Sequence, residues 1–336
     1  MGVKFKDLLQ PEEISWDELR DKKIAVDASL MIYQFLSSIM QKDGTPLTDS
    51  NGNVTSHLVG IFSRVTNLMD KGLKLCFVFD GKAPELKNKE RERRRERKNI
   101  ASEKYEEARE KEDEEMMHRY SRQLSFLTHE MVEEAKELIK ALGLPVIQAP
   151  SEAEAQAAYM CRKKDVWAVA TQDADVLIHG APKVLRNLTL SQKKLSGSTY
   201  TRVHPEILEL NKVLDNLGID LDQLIVIAIL IGTDFNVGGV KGLGPKKALK
   251  LVQDGKSFDV IFKELGEIGF DWKEIFDVIK KMPVTDNYSL EWKDVDQEKV
   301  KSILVGKHDF SQERVESTLS KITKRGKEQL NLKKWF

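Results

Sequence analysis

Leu75-Cys76-Phe77-Val78-Phe79-Asp80 is an unbroken apolar run that ends in an acid. A strand with one wet face alternates apolar and polar residues, so a continuous run of this length suits a strand covered on both faces. Lys23-Ile24-Ala25-Val26-Asp27 and Val166-Trp167-Ala168-Val169-Ala170-Thr171-Gln172-Asp173 repeat the pattern, each again closing on an acid. Helix-period patterns lie between them, over residues 55–71 and 130–142, the second stopped by Gly143 and Pro145. The alternation predicts an α/β domain with a mostly parallel central sheet and helices on both faces. Such sheets bind ligands at the carboxyl ends of their strands, where Asp27, Asp80 and Asp173 fall.

Of the 336 residues, 40% are apolar (AVILMFWYC) and 32% charged, a globular composition with more charge than the usual quarter. The longest clean apolar run, residues 224–231, is far short of the roughly 20 residues that a membrane span needs. No signal-peptide stretch opens the chain, so an intracellular protein without a membrane partner is expected. Cys76 and Cys161 cannot build a disulfide framework and read as reduced, structural thiols. The six histidines show no zinc-ligand spacing, so any metal must sit on oxygens.

The net charge is zero, with 54 basic and 54 acidic residues, yet the charges are segregated. Residues 87–98 carry eight basic side chains against three acidic, and residues 103–115 reverse that ratio. The plain reading is a solvated helix laced with i,i+4 pairs such as Glu90 with Arg94. The alternative is a cationic cluster selected to meet a phosphate backbone. The charged stretch 84–123 has too few apolar residues to be core, and reads as a long helical insertion over the acid-bearing edge of the sheet. Beyond residue 221 the chain turns mainly helical, and beyond 320 it reads as a polar tail.

Further acids stand at Glu152 and Glu154 in Pro150-Ser151-Glu152-Ala153-Glu154, at Asp175 in Asp173-Ala174-Asp175, and at Asp234 in Gly232-Thr233-Asp234. Each has a modest reading: Ser151 with Glu154 fits a capping box, Asp27 or Asp80 a turn, Asp234 a cap. Taken together, acids that repeatedly end buried strands are costly unless cations fill the cluster. Oxygen ligands without His or Cys point to Mg²⁺ or Mn²⁺, and a pair of such ions suits phosphodiester hydrolysis. A rival reading takes Asp173-Ala174-Asp175-Val176 as the nucleophile motif of a haloacid dehalogenase-like phosphatase, but that motif normally ends the first strand of its domain.

Residues 238–248, Gly-Gly-Val-Lys-Gly-Leu-Gly-Pro-Lys-Lys-Ala, place a glycine turn before a helix with Pro245 near its first position. Amides there suit a phosphate, with Lys246, Lys247 and Lys250 beside it; an ordinary helix-helix turn is the alternative. The last residues, 329–336, set apolar anchors on a charged tail, as a segment does that seeks a partner's pocket.

Jointly, Asp27, Asp80, Ser-Glu-Ala-Glu at 151–154, Asp-x-Asp at 173–175 and Gly-Thr-Asp at 232–234 followed by the glycine turn resemble the flap endonuclease family over essentially the whole chain. The resemblance implies a PIN-like nuclease fold with a helical arch and a helix-two-turn-helix element, divided as residues 1–98, 99–123 (the rest of the arch, which starts near 84), 124–255, 256–320 and a tail, 321–336. It implies cleavage of 5′ flaps at their junction with duplex DNA, with 5′-to-3′ exonuclease activity, in Okazaki fragment maturation and repair. Asp27, Asp80, Glu152 and Glu154 would hold one Mg²⁺, and Asp173, Asp175 and Asp234 the second, with some sharing. Lys87 and Arg94 match arch residues that engage the scissile phosphate, and Arg91, Arg93, Arg95, Arg97 and Lys98 would support them. Tyr33 matches the aromatic on which the unpaired nucleotide stacks; its plainer reading is a core tyrosine. Gly242 and Gly244 belong to the duplex-binding turn, where carbonyls also hold K⁺. Thr55 and Phe310 align with a pocket for a one-nucleotide 3′ flap, although His308 stands where the eukaryotic form has lysine. Gln329, Leu332, Trp335 and Phe336 resemble the peptide that binds the sliding clamp (PCNA). The resemblance further implies a monomer in the cytoplasm of an archaeal cell, since no nuclear-targeting extension follows. The other functions to be weighed are a catalytically silent DNA- and clamp-binding scaffold, and a sibling nuclease for bubbles or four-way junctions.

Overall fold

The computed structural model describes residues 3, 5, 7–41, 44–111, 113, 115, 116, 120, 127–188, 193–196 and 199–332. Its strands are β1 (Glu12–Glu13), β2 (Lys23–Asp27), β3 (Lys74–Phe79), β4 (Val146–Gln148), β5 (Ala168–Ala170), β6 (Lys183–Arg186), β7 (Lys193–Ser196), β8 (Thr199–Arg202) and β9 (Glu206–Glu209). Seven of them form one sheet in the order β1-β9-β6-β5-β2-β3-β4, and β7 with β8 forms a separate antiparallel hairpin. From β6 to β4 all pairings are parallel, whereas β9 runs antiparallel to both β6 and β1. The three apolar runs are thus the centre of the sheet, β5-β2-β3.

Their continuous apolarity has the expected cause. Ile24, Val26, Leu75, Phe77 and Phe79 enter the core on one face, with the helices Ala28–Ser38 and His129–Ala141. Ala25, Cys76, Val78 and Val169 enter the core on the other face, with Ala153–Arg162 and Leu221–Ile231. Both cysteines are free and buried. Residues 55–71 form Ser56–Gly60, a π-turn Ile61–Val65, and Thr66–Asp70.

The charged insertion begins as one helix, Asn88–Glu110, of 23 residues, about 35 Å long at the usual rise. Contrary to the expectation that it adds nothing to the interior, Glu90, Ala101 and Ala108 are buried. The boundary placed at residue 98 falls inside this helix. The segment read as a polar tail from residue 321 is also helical, because Gln312–Leu332 is a single helix. It is anchored by Val315, Leu319 and Ile322, spaced by one turn along one face. No helix among the described residues is long and apolar enough to cross a membrane.

Residues 282–296 carry neither helix nor strand and run as a strap behind the sheet. Gln156 exchanges two hydrogen bonds with the Thr285 backbone (2.9 and 2.8 Å), and Trp292 Nε1 donates to Leu75 O at 2.7 Å. Lys293 N donates to Gly143 O at 2.8 Å. Gly143, at φ +76°, admits no Cβ, which would lie 2.1 Å from Lys293 O.

Candidate active site

Each acid-bearing segment leaves the same edge of the sheet. Asp27 is the last residue of β2, Asp80 follows β3, Glu152 and Glu154 follow β4, and Asp173 and Asp175 follow β5. Asp234 arrives from the loop after Leu221–Ile231. Local bonds fix their directions. Asp27 Oδ1 caps its helix by accepting from Leu30 N (3.0 Å), Asp80 Oδ1 accepts from Ala153 N (2.8 Å), and Asp173 Oδ1 accepts from Asp175 N (3.2 Å). The backbone N–H of Val3 donates to Asp175 Oδ1 at 2.5 Å. The capping box that Ser151 and Glu154 permit does not form. Glu152 is the N-cap residue and Ser151 Oγ donates to Lys82 O instead, which leaves Glu154 to join the acids.

These carboxyls repel one another, with Asp27, Glu152 and Asp175 buried and Asp80 exposed. Burial, then the Asp80 and Asp173 charges, push Asp27 up to about 8. Burial, then Asp173, raise Glu154 and Asp175 well above the usual carboxylate range. Two cations from the arch helix and the turn before it enter the cluster. Lys87 Nζ lies 2.6 Å from Glu152 Oε1 and 3.4 Å from Asp234 Oδ2, and Arg94 Nη2 lies 2.8 Å from Asp234 Oδ2. Burial acts to lower the Lys87 ammonium, but Glu152 and Asp234 outweigh it and carry its pKa above the ordinary value.

Among the described residues no three His, Cys, Asp or Glu side chains are grouped closely enough to hold one ion. The lysine ammonium lies between Glu152 and Asp234, one from each carboxylate set that the resemblance assigns to an ion. The donor set nevertheless fits a hard divalent cation. It is all oxygen, and it holds seven acids against two cations, with Asp27, Glu152, Glu154 and Asp175 raised by burial first and by neighbouring negative charge second.

The XPG N-terminal domain matches residues 1–101 and the XPG I-region matches residues 143–234. Together they hold all seven acids, Lys87 and Arg94. Flap endonuclease 1 of Staphylothermus marinus is 47% identical, covering 100% of both chains. The chain belongs to the flap endonuclease family. Flap endonuclease 1 of Pyrococcus furiosus is 46% identical over 100% of this chain and 99% of its own. The solved structure of flap endonuclease-1 from Methanococcus jannaschii superposes with a TM-score of 0.77 at 44% identity, covering 96% of this chain and 98% of that one. The catalytic core of Rad2 in complex with DNA substrate superposes at 0.69 and 25% identity, covering 96% and 100%. Family membership carries divalent-metal dependence with it.

In this flap endonuclease, Tyr33 is half-buried on the helix that Asp27 caps, near enough for the Arg94 charge to act on its hydroxyl. Arg91, Arg93, Arg95 and Arg97 are exposed along the arch helix, and the Lys98 side chain lies outside the described residues. Gly244 is the N-cap of Pro245–Gln253. Lys246, Lys247 and Lys250 are exposed on that helix, with Lys247 Nζ 3.4 Å from Gly242 O. Thr55 and His308 are buried and Phe310 partly so. His308 Nδ1 meets Asp49 Oδ2 at 3.0 Å and its Nε2 lies 3.3 Å from Glu134 Oε1, so this histidine lies between two carboxylates at the position where the eukaryotic form has lysine. The Gln329 and Leu332 side chains, and Trp335 and Phe336 entirely, lie outside the described residues.

Sequence reading missed several supports of the site. Lys87 sits over the Phe235 ring at 5.3 Å. Asn236 Oδ1 accepts from Thr233 N (3.1 Å) and Thr233 Oγ1 (2.7 Å), which fixes the loop carrying Asp234. Gly239 and Gly232 are both sterically locked in this loop, Gly232 at φ +105° with its Cβ 2.7 Å from Gly239 N, whereas a Cβ at Gly242 or Gly244 would meet nothing within 4 Å. At Gly239, with φ +56°, a Cβ would lie 2.4 Å from Leu230 O. The signal for Gly239 was the Gly238-Gly239 pair, which marks a turn without saying which member is crowded.

Proposed function

We infer that the chain is a structure-specific 5′ flap endonuclease with 5′-to-3′ exonuclease activity, acting in Okazaki fragment maturation and DNA repair. The observation that carries this reading is the meeting, at one edge of the sheet, of six acids that end or follow strands and Asp234 with Lys87 and Arg94 of the arch. Asp27, Asp80, Glu152 and Glu154 would hold one Mg²⁺, replaceable by Mn²⁺, and Asp173, Asp175 and Asp234 the second. When bound, such a pair supplies Lewis acidity at the phosphate and a more acidic water.

The chain's own groups do the rest. Lys87 and Arg94 exchange carboxylate oxygens for those of the scissile phosphate and meet the charge that develops there. Tyr33 stacks the unpaired nucleotide beside the cut, indifferent to its base. Lys246, Lys247, Lys250 and the amides of the glycine turn hold the duplex backbone, and turn carbonyls take K⁺. The remaining arch cations, Arg91, Arg93, Arg95, Arg97 and Lys98, line the path of the single strand. Thr55 and Phe310 border a pocket for a 3′ nucleotide. Recognition is by backbone and branch shape, not base sequence. The enzyme works as a monomer in the archaeal cytoplasm and reaches the sliding clamp through Gln329, Leu332, Trp335 and Phe336.

The test is single-turnover cleavage of a 5′-labelled double-flap DNA in Mg²⁺, beside an EDTA control and matched bubble and four-way junctions. One dominant cut near the flap base, absent in EDTA, is expected. Tight binding without a cut would replace the reading with a silent scaffold, and faster cutting of the other branches with a sibling nuclease.

A further inference from the structure

Glu90 is a carboxylate that the mechanism above does not use, yet its side chain is only 5% exposed. It lies on the first turn of the arch helix, three residues after Lys87 and four before Arg94, so the three side chains share one helix face. Glu90 Oε1 accepts from Arg94 Nε at 3.0 Å. Its Oε2 is buried without a hydrogen bond, 3.9 Å from Arg93 Nη1. A charge kept out of water at this cost needs a reason beyond surface pairing, because an exposed i,i+4 pair contributes little and needs no burial.

The geometry points to Glu90 as the positioning residue for Arg94. A guanidinium offers two edges for bidentate contacts, one through Nε and one through the paired Nη groups. Glu90 engages Nε, so the edge that remains for a phosphate is the Nη pair. One member of that pair already reaches the cluster, since Arg94 Nη2 lies 2.8 Å from Asp234 Oδ2. Arg94 is itself 45% exposed, and among the described side chains of its own helix Glu90 is the one bonded to its guanidinium. The contact also restrains a long side chain, whose rotamer freedom is otherwise lost when the phosphate arrives.

This inference rests on the reading that Arg94 engages the scissile phosphate, and a double-mutant cycle separates the two. Single-turnover rates and flap-DNA affinities would be measured for the parent, Glu90→Ala, Glu90→Gln, Arg94→Ala and the double variant Glu90→Ala/Arg94→Ala, with melting curves for each. Arg94→Ala should slow cutting by about 100-fold, and if it does not, the reading of Arg94 falls first. Given that loss, Glu90→Ala should slow cutting by about tenfold at an affinity within about twofold of the parent. Glu90→Gln keeps an acceptor for Nε and should recover most of the rate. The double variant should cut no more slowly than Arg94→Ala alone, because the group that Glu90 aims is already gone. Multiplying effects in the double variant would overturn the proposal. So would a Glu90→Gln no faster than Glu90→Ala, or rate losses that track a fall in melting temperature.

Discussion

Lys87 and Glu152 form a 2.6 Å ion pair that joins the arch to the end of β4, with the two side chains 21% and 10% exposed. The acid cluster therefore carries part of its counter-charge on the arch. On the proposed mechanism that cation would balance carboxylates before DNA arrives and phosphate oxygens afterwards.

Replacing Lys87 with alanine should slow the single-turnover cut by about 100-fold while flap affinity stays within about twofold, since one of many backbone contacts is lost but a fixed charge at the reacting group is removed. Quench-flow cleavage beside fluorescence anisotropy checks this. An equal loss in both would place Lys87 in binding alone.

Asp173→Ala should abolish cleavage and leave DNA binding nearly intact. Asp173 also holds the turn into Asp175 through a 3.2 Å bond from Asp175 N, so the melting curve belongs in the same experiment. Parallel loss of binding would take Asp173 out of the chemistry.

Gly239→Ala should destabilise the fold and slow cleavage, because its Cβ meets Leu230 O and Gly232 N at 2.4 and 2.5 Å in the loop that carries Asp234. At Gly244 nothing lies within 4 Å of a Cβ and φ is ordinary, so Gly244→Ala should cost less stability. Thermal melts of the two variants decide it, and equal losses would refute the steric argument.

The Asp49 carboxyl is held down to about 2, first by the Asn53 side chain against the opposing effect of burial, then by the Asn53 N–H, His308 and the Asn51 N–H. Glu134 and Asp309 stand in the same cluster and are also lowered. A carboxyl with a depressed folded pKa adds stability that is complete above its unfolded value, near 4, and is lost as pH falls toward about 2. Asp49→Asn should therefore melt below the parent at pH 7, with a gap that closes through that window. Circular dichroism melts from pH 7 to 2 check it, and a constant gap would refute it.

Deleting residues 329–336 should lower clamp affinity by about 100-fold or more, because a few buried anchors dominate such peptide contacts. Calorimetry of the truncated chain against PCNA measures this, and unchanged affinity would remove the tail assignment.

Much of the sheet was legible because β2, β3 and β5 are covered on both faces, and Ile24, Val26, Phe77 and Val169 announce that directly. β4, β6 and β9 were not, since they are about as short as β5 but lack the longer apolar run, residues 166–170, that marks it, and the antiparallel return of β9 depends on where the chain comes back. The gathering of Asp27, Asp80 and Asp173 at one edge of the sheet was legible from their places at strand ends, but the pairing of the arch cations with Glu152 and Asp234 was not. The contact of Arg94 with Asp234 spans 140 residues, and no local pattern encodes it. The helical end of the chain was missed because Val315, Leu319 and Ile322 are spread thinly among polar residues.

The strap of residues 282–296 sets an order of assembly. Trp292 closes on Leu75 across 217 positions and Thr285 on Gln156 across 129, so neither contact exists until nearly the whole chain has been made. Closures of such sequence separation come late and slowly. On the ribosome, the sheet and its acids would thus emerge before the belt that braces them, and the last elements synthesised complete the scaffold on which the first ones work.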